Sequence, residues 1–174
     1  MQPLITTVLD LFLRAEVIAS TAAVTRLRAA LDELGFRVVQ GSEWLRFTRD
    51  VDGRCVLLDL MVGPLREHSN SVCVRDLRVR PKGLRGKFGL HAFATEAALG
   101  IESEPLRIPL EGVRSVGLRS RCDVLVPRAF PYVLMKLAAM RDRSGDPAKQ
   151  EGRHHAIDLY RIVGLLTEEE AAVS

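Results

Sequence analysis

Two aspartates stand in apolar surroundings: Asp10 within Val8-Leu9-Asp10-Leu11-Phe12-Leu13, and Asp59 within Cys55-Val56-Leu57-Leu58-Asp59-Leu60-Met61-Val62. Taking an ionised carboxylate out of water is costly unless a cation or hydrogen-bond donors compensate. A divalent ion such as Mg²⁺ compensates and also does chemistry, because converging carboxylates are what a Mg²⁺-dependent phosphoryl or nucleotidyl transfer requires. On a strand, residues i and i+2 share a face. The positions that would make an Asp-x-Asp pair here are Val8 and Asp10, so a further carboxylate has to come from another strand, and Asp59 is the candidate. The plainer reading is that both aspartates accept hydrogen bonds from backbone or arginine at a sheet end.

A second group of candidates lies near the C-terminus. Lys136 interrupts an otherwise apolar helical face, where its stem either snorkels to water or carries the ammonium to a triphosphate. Arg141 and Arg143 would add phosphate contacts, or simply complement a helix C-terminus. His154 and Asp158 stand at i, i+4 and His155 and Asp158 at i, i+3, so either pair can meet on one helix. Two ligands are at most half of a four-coordinate zinc site, and a histidine oriented by Asp158 is the simpler expectation. The sequence contains no glycine-rich phosphate loop of either standard kind, no Gly-x-Ser-x-Gly, and no Cys-and-His constellation for covalent catalysis.

The elements that position these residues follow from periodicity. Val8–Arg14 reads as a buried strand. Ser20 and Thr21 cap a helix with an apolar stripe of Ala23, Leu27, Ala30, Leu31 and Leu34, and Gly35 ends it. Three strands are expected at Phe36–Gln40, Trp44–Arg49 and Arg54–Val62, the last two joined by a turn at Asp50-Val51-Asp52-Gly53. A loop over 63–71 precedes one alternating run from Val72 to Arg80. Pro81–Arg121, rich in glycine and proline, reads as short strands and turns. From Pro127 the pattern is helical: Phe130, Val133, Leu134 and Leu137 trace one face, and a polar break precedes a second helix with Ile157, Tyr160, Arg161 and Gly164 at helical spacing. Thr167 with Glu170 makes a capping box for a last short helix. The fold class expected is α+β, a mixed sheet flanked by helices with a C-terminal helical segment.

A chain of 174 residues with 47% hydrophobic and 27% charged residues is long enough to bury one core and has the make-up of a globular protein. The formal charge of +3 does not by itself call for a nucleic acid, but 21 of the 25 basic residues are arginine, the side chain suited to bidentate phosphate contacts. Cys55, Cys73 and Cys122 are odd in number and widely spaced, as expected of buried, reduced thiols in a cytoplasmic protein. No apolar stretch approaches the roughly 20 residues that span a bilayer, so no membrane partner is expected.

Together, Thr6-Thr7-Val8-Leu9-Asp10-Leu11-Phe12-Leu13, Val56-Leu57-Leu58-Asp59-Leu60-Met61, Pro131-Tyr132-Val133-Leu134-Met135-Lys136-Leu137-Ala138-Ala139-Met140-Arg141-Asp142-Arg143 and His154-His155-Ala156-Ile157-Asp158-Leu159-Tyr160 resemble the bacterial AbiEii-type nucleotidyltransferases of the polymerase-beta-like superfamily. The resemblance implies a nucleotidyltransferase-like core over residues 1–126, incomplete at its N-terminus, and C-terminal helices over 127–174 packed on it. It implies transfer of a nucleoside monophosphate from an NTP, with Mg²⁺ as cofactor, tRNA as acceptor and a cognate antitoxin as partner, in a toxin–antitoxin or phage-defence system. By the same resemblance Asp10 is the second metal aspartate, Asp59 the third, Lys136 the phosphate-facing lysine and Asp158 the final acidic residue, with Arg141 and Arg143 beside the nucleotide. The sequence departs from the pattern in three places. Val8 stands where the first metal aspartate belongs, His154 and His155 replace a Lys-Asp pair, and the nine residues before Asp10 leave no room for the family's phosphate-holding Gly-Ser motif. These departures imply the alternative of a catalytically inactive protein of the same fold that binds nucleotide, RNA or a protein partner.

Overall fold

The computed structural model describes residues 7–42, 45–85, 88–113, 119–143 and 152–168. The class is α+β, and the chain divides into two compact units, Met1–Glu96 and Ala97–Ser174.

The first unit is a mixed sheet with helices on one face. Strand β1 (Thr7–Leu13) leads into a short helix α1 (Ala15–Ala19) and a longer one, α2 (Thr21–Glu33). Ser20 caps α2 as its type predicts, its hydroxyl accepting from the Ala23 N–H at 3.2 Å. Gly35, at φ +79°, ends the helix in a Schellman motif: Phe36 N–H donates to Leu31 O at 2.9 Å and Gly35 N–H to Asp32 O at 3.0 Å. The buried stripe is Val24, Leu27 and Leu31 rather than the one centred on Ala23, and Ala30 and Leu34 face outward. The two stripes share Leu27 and Leu31 and differ by a partial rotation about the helix axis, because small alanines mark a helix face less firmly than Val24 does.

Strands β2 (Arg37–Val38), β3 (Arg46–Val51) and β4 (Arg54–Val62) form the expected meander. The β3–β4 turn is set by Asp52 and Gly53, both in the left-handed region at φ 53° and 75°, and Gly53 N–H donates to the Asp50 carboxylate at 3.0 Å. Trp44, which the sequence placed in β3, lies outside the described residues. The single run expected over 72–80 is a hairpin instead, β5 (Val72–Arg75) and β6 (Arg78–Pro81), because Asp76 and Leu77 turn the chain at φ 50° and 63°. A short strand, β7 (Ala92–Ala94), completes the sheet in the order β2-β3-β4-β7-β6-β5, with β1 parallel to β4 on β4's other side.

The core lies between this sheet and α1 and α2, where Ile18, Val24, Phe47, Leu60 and Val62 are wholly buried. Alternation places Leu58, Leu60 and Val62 on the core face of β4 and Leu57, Asp59 and Met61 on the opposite one. Arg28 of α2 reaches over the Phe47 ring at 5.4 Å while donating to Asp32 and to Gly89 O, which ties the helix to the chain before β7. The expectation of a buried β1 is corrected: Val8, Leu9 and Leu11 are 52%, 48% and 39% exposed, and only Leu13 is buried. Among the described residues β1 pairs with β4 alone, so it is an edge strand, and only its C-terminal end reaches the core.

The second unit holds an antiparallel ribbon, β8 (Leu106–Val113) and β9 (Arg119–Val126), and a helix pair, α3 (Ala129–Arg143) and α4 (Gly152–Leu165). One ribbon face is apolar, with Ile108 opposite Val124 and Leu110 opposite Cys122; the other carries the Arg107–Asp123 ion pair at 3.0 Å. Cys122 is exposed and Cys55 and Cys73 are half-buried, all three as free thiols, so the expectation of burial fails. The capping box at Thr167 and Glu170 falls partly outside the described residues. Among those residues no helix is long and apolar enough to cross a membrane.

Candidate functional site

The register of the sheet decides the relation between the two aspartates. Along the parallel pair β1–β4 every residue from Thr7 to Leu13 faces one from Val56 to Val62, and Asp10 faces Asp59. Register partners on neighbouring strands point to the same side of a sheet, with strands about 4.8 Å apart. The two side chains therefore leave the sheet on the same face, the one away from α1 and α2. Across the other edge of β4, Asp59 faces Arg46 of β3. The result is a lateral row, Asp10–Asp59–Arg46, running across three strands.

Within the row Asp59 and Arg46 form a forked ion pair: Arg46 Nε donates to one carboxylate oxygen at 2.6 Å and Nη2 to the other at 2.6 Å. This is the bidentate geometry for which guanidinium is suited. Asp59 is the more enclosed partner, its side chain 23% exposed against 45% for Arg46. The plainer reading of the aspartates, acceptance from arginine, thus holds for Asp59. Both residues of the fork line a cleft of about 460 Å³ with Gly41, Ser42, Met61 and Phe93. That volume lies in the range of small-molecule sites, and its lining of backbone turn, apolar side chains and one ion pair is the usual mixture. Gly41, at φ +80°, makes the turn that forms one wall, and Ser42 Oγ holds it by donating to Val39 O at 2.7 Å.

Arg46 was not among the residues singled out by sequence, although the signal existed: the Asp52-Gly53 turn, once accepted, fixes the β3–β4 pairing. Val8 lies on the same face as Asp10 and contributes no charge. Among the described residues no group of three or more His, Cys, Asp or Glu side chains is placed to hold a metal ion. A divalent ion held by Asp10 and Asp59 would have to displace Arg46 from Asp59 and draw its remaining ligands from water or substrate oxygens, the mode in which Mg²⁺ is commonly bound.

The second unit joins the other two predicted residues. Lys136 Nζ donates to Asp158 Oδ2 at 2.9 Å and sits 5.1 Å from the centre of the Tyr132 ring, with its side chain only 11% exposed. The lysine faces α4, while Phe130, Leu134 and Leu137, expected as the packing stripe of α3, are exposed. Burial pulls the Lys136 ammonium pKa down, but the Asp158 hydrogen bond and the Tyr132 hydroxyl outweigh it and the net shift is upward. The same hydrogen bond from Lys136 holds the Asp158 carboxyl below the ordinary aspartate value, against the opposing effect of its own partial burial. Arg143 Nη1 lies 2.6 Å from His155 Nε2, and since guanidinium only donates, that nitrogen is the acceptor. His155 is therefore engaged by Arg143 and Asp158 by Lys136, which does not favour the half-zinc arrangement. The side chain of His154 lies outside the described residues, and Arg141 occupies the last turn of α3 with Arg143.

The Lys136–Asp158 pair has a pH signature. A depressed Asp158 pKa adds stability that is present above the unfolded value and lost as pH falls through the folded one. A raised Lys136 pKa adds stability that is present below its unfolded value and lost as pH rises through the folded one. Lys136→Met is expected to destabilise the chain by about 1–3 kcal/mol between roughly pH 4 and pH 10, with the difference from wild type shrinking at either extreme. Urea titrations across pH check it, and a difference that stays constant down to pH 2 would show that the pair contributes nothing.

No family model matches the chain, and neither a curated protein nor a solved structure matches it.

Proposed function

We propose that the chain is a nucleotidyltransferase-like protein that holds a Mg²⁺-bound nucleoside triphosphate on the Asp10–Asp59 face and passes its nucleoside monophosphate to an acceptor, with RNA, tRNA in particular, as the acceptor class. The observation that carries the reading is the register pairing of Asp10 with Asp59 on adjacent parallel strands, in one row with a cleft-lining arginine. Asp10 and Asp59 would hold the ion, whose chemistry is to neutralise phosphate charge and polarise the phosphoryl oxygens. Arg46 supplies positive charge at the cleft wall, where guanidinium matches phosphate oxygens as well as it matches a carboxylate. In the transfer the acceptor hydroxyl oxygen bonds to the α-phosphorus, the bond from that phosphorus to the oxygen bridging to the β-phosphate breaks, and pyrophosphate leaves. The acceptor proton passes to a carboxylate or to water.

Lys136, Arg141, Arg143 and Asp158 enter this reading only through the family resemblance. The toxin role and the antitoxin partner rest on the same ground, whereas the cytoplasmic location rests on the three free thiols, Cys55, Cys73 and Cys122. A second reading, a protein of this fold that binds the ligand without turning it over, is favoured by two features of the row: Val8 brings no carboxylate, and Asp59 already has a cationic partner.

Incubating the full chain with each α-³²P-labelled nucleoside triphosphate, Mg²⁺ and tRNA tests the first reading. Label is expected on the RNA, dependent on Mg²⁺ and lost in Asp10→Asn. Ligand binding by calorimetry with no labelled product gives the second reading, and neither binding nor product removes both.

A further inference from the structure

We infer that Arg46 makes metal and phosphate binding at the Asp10–Asp59 face mutually dependent, standing on Asp59 as an internal cation until a metal–polyphosphate complex arrives, and then turning to the phosphate. The inference rests on the reading of Asp10 and Asp59 as a Mg²⁺ site, and it adds a coupling that the paired carboxylates alone do not imply.

The fork sets up the competition. Both oxygens of Asp59 are taken by Arg46 at 2.6 Å, so a cation that seeks this carboxylate has to displace a guanidinium. A bare divalent ion gains Asp59 only at the cost of an arginine left beside a second positive charge. A bare polyphosphate meets an arginine already neutralised by its neighbour. When both arrive together the charges are exchanged: the ion takes the carboxylate and the phosphate takes the guanidinium, with no group left unpaired. Partner exchange of this kind is positive coupling between two ligands, and linkage makes it reciprocal. The geometry permits the exchange, because Arg46 is 45% exposed and lines the cleft, so the guanidinium can leave Asp59 without crossing the core. Its neighbour Phe47, by contrast, is wholly buried on the opposite face and anchors the strand while the arginine moves.

The test separates coupling from simple loss of a binding residue. Mn²⁺ alone, tripolyphosphate alone and their preformed complex are titrated against the full chain, with Mn²⁺ followed by electron paramagnetic resonance and tripolyphosphate by calorimetry. Arg46→Gln is expected to bind Mn²⁺ alone about three- to tenfold more tightly than wild type, as expected for removal of a partly exposed ion pair, and the complex more weakly. Arg46→Lys, which keeps the charge but not the fork, should fall between. A misfolded variant would lose affinity in both titrations, so opposite signs cannot come from damage to the fold. Equal or weaker Mn²⁺ binding by Arg46→Gln, with wild-type binding abolished in Asp59→Asn, would overturn the coupling and leave the metal site standing. Absence of binding of Mn²⁺ and of the complex to wild type and variants alike would overturn the metal site and the coupling with it.

Discussion

Phe47→Ala is expected to lower the stability of the first unit by about 3–5 kcal/mol, the range for removing a fully buried phenylalanine. The residue has no exposed surface and is the largest wholly buried side chain of the described residues. It faces Leu58 across the β3–β4 pair, and its ring is capped by Arg28 from α2. The cost therefore has two sources, a cavity under the sheet and the loss of a cation–π contact of about 0.5–1 kcal/mol at a partly exposed arginine. Against the roughly 5–15 kcal/mol that holds a typical domain folded, such a loss brings the unit close to unfolding at ambient temperature. Thermal melts followed by circular dichroism should show a fall of roughly 15 °C or more, whereas Leu34→Ala, at a position 53% exposed, should leave the midpoint nearly unmoved. Equal melts for the two variants would mean that the sheet does not pack on α2 through Phe47.

The same strand shows where sequence reasoning succeeds and where it stops. Asp52-Gly53 is a two-residue hairpin turn by type, and counting outward from it one residue per strand pairs Val51 with Arg54 and, at the far end, Arg46 with Asp59. The ion pair at the cleft is thus implicit in the turn, whereas residue type alone does not mark Arg46, which is one of 25 basic residues. The Asp10–Asp59 register is different in kind. Forty residues, with two helices and two strands among them, separate β1 from β4, and no local rule fixes how far a parallel strand slides, even though a slip of one residue would have put the two aspartates on opposite faces. Ser20 and Gly35 marked α2 correctly because caps act locally. The turn at Asp76 and Leu77 was invisible for the converse reason, since leucine at φ 63° is a conformation that residue type argues against. The inward face of α3 was likewise misjudged: hydrophobicity selected Phe130, Leu134 and Leu137, whereas the contact with α4 is made by Lys136, whose burial depends on a partner 22 residues away.

Asp59→Asn is expected to weaken binding of the Mg²⁺–triphosphate complex by about 100-fold, or about 2.7 kcal/mol, as removal of one directly engaged, partly buried charge does. The substitution keeps the shape of the side chain, and its amide oxygen still accepts from Arg46, so the sheet should fold; Phe47 and Leu58 on the other face are untouched. What it removes is the negative charge that Arg46 uses and that a bound metal would use. Metal-free triphosphate should respond in the opposite sense, because an arginine no longer neutralised by Asp59 has its full charge to offer at the cleft wall, and the gain should be several-fold rather than large since Arg46 is 45% exposed. Asp10→Asn removes a carboxylate from the same row and leaves both partners of the fork in place, so it should weaken the Mg²⁺ complex and change metal-free triphosphate binding less than Asp59→Asn does. Calorimetry with and without EDTA distinguishes the two variants. Were both to leave the Mg²⁺ complex bound as tightly as in wild type, the row of Asp10, Asp59 and Arg46 would be a structural strap across three strands, and the ligand, if any, would lie elsewhere.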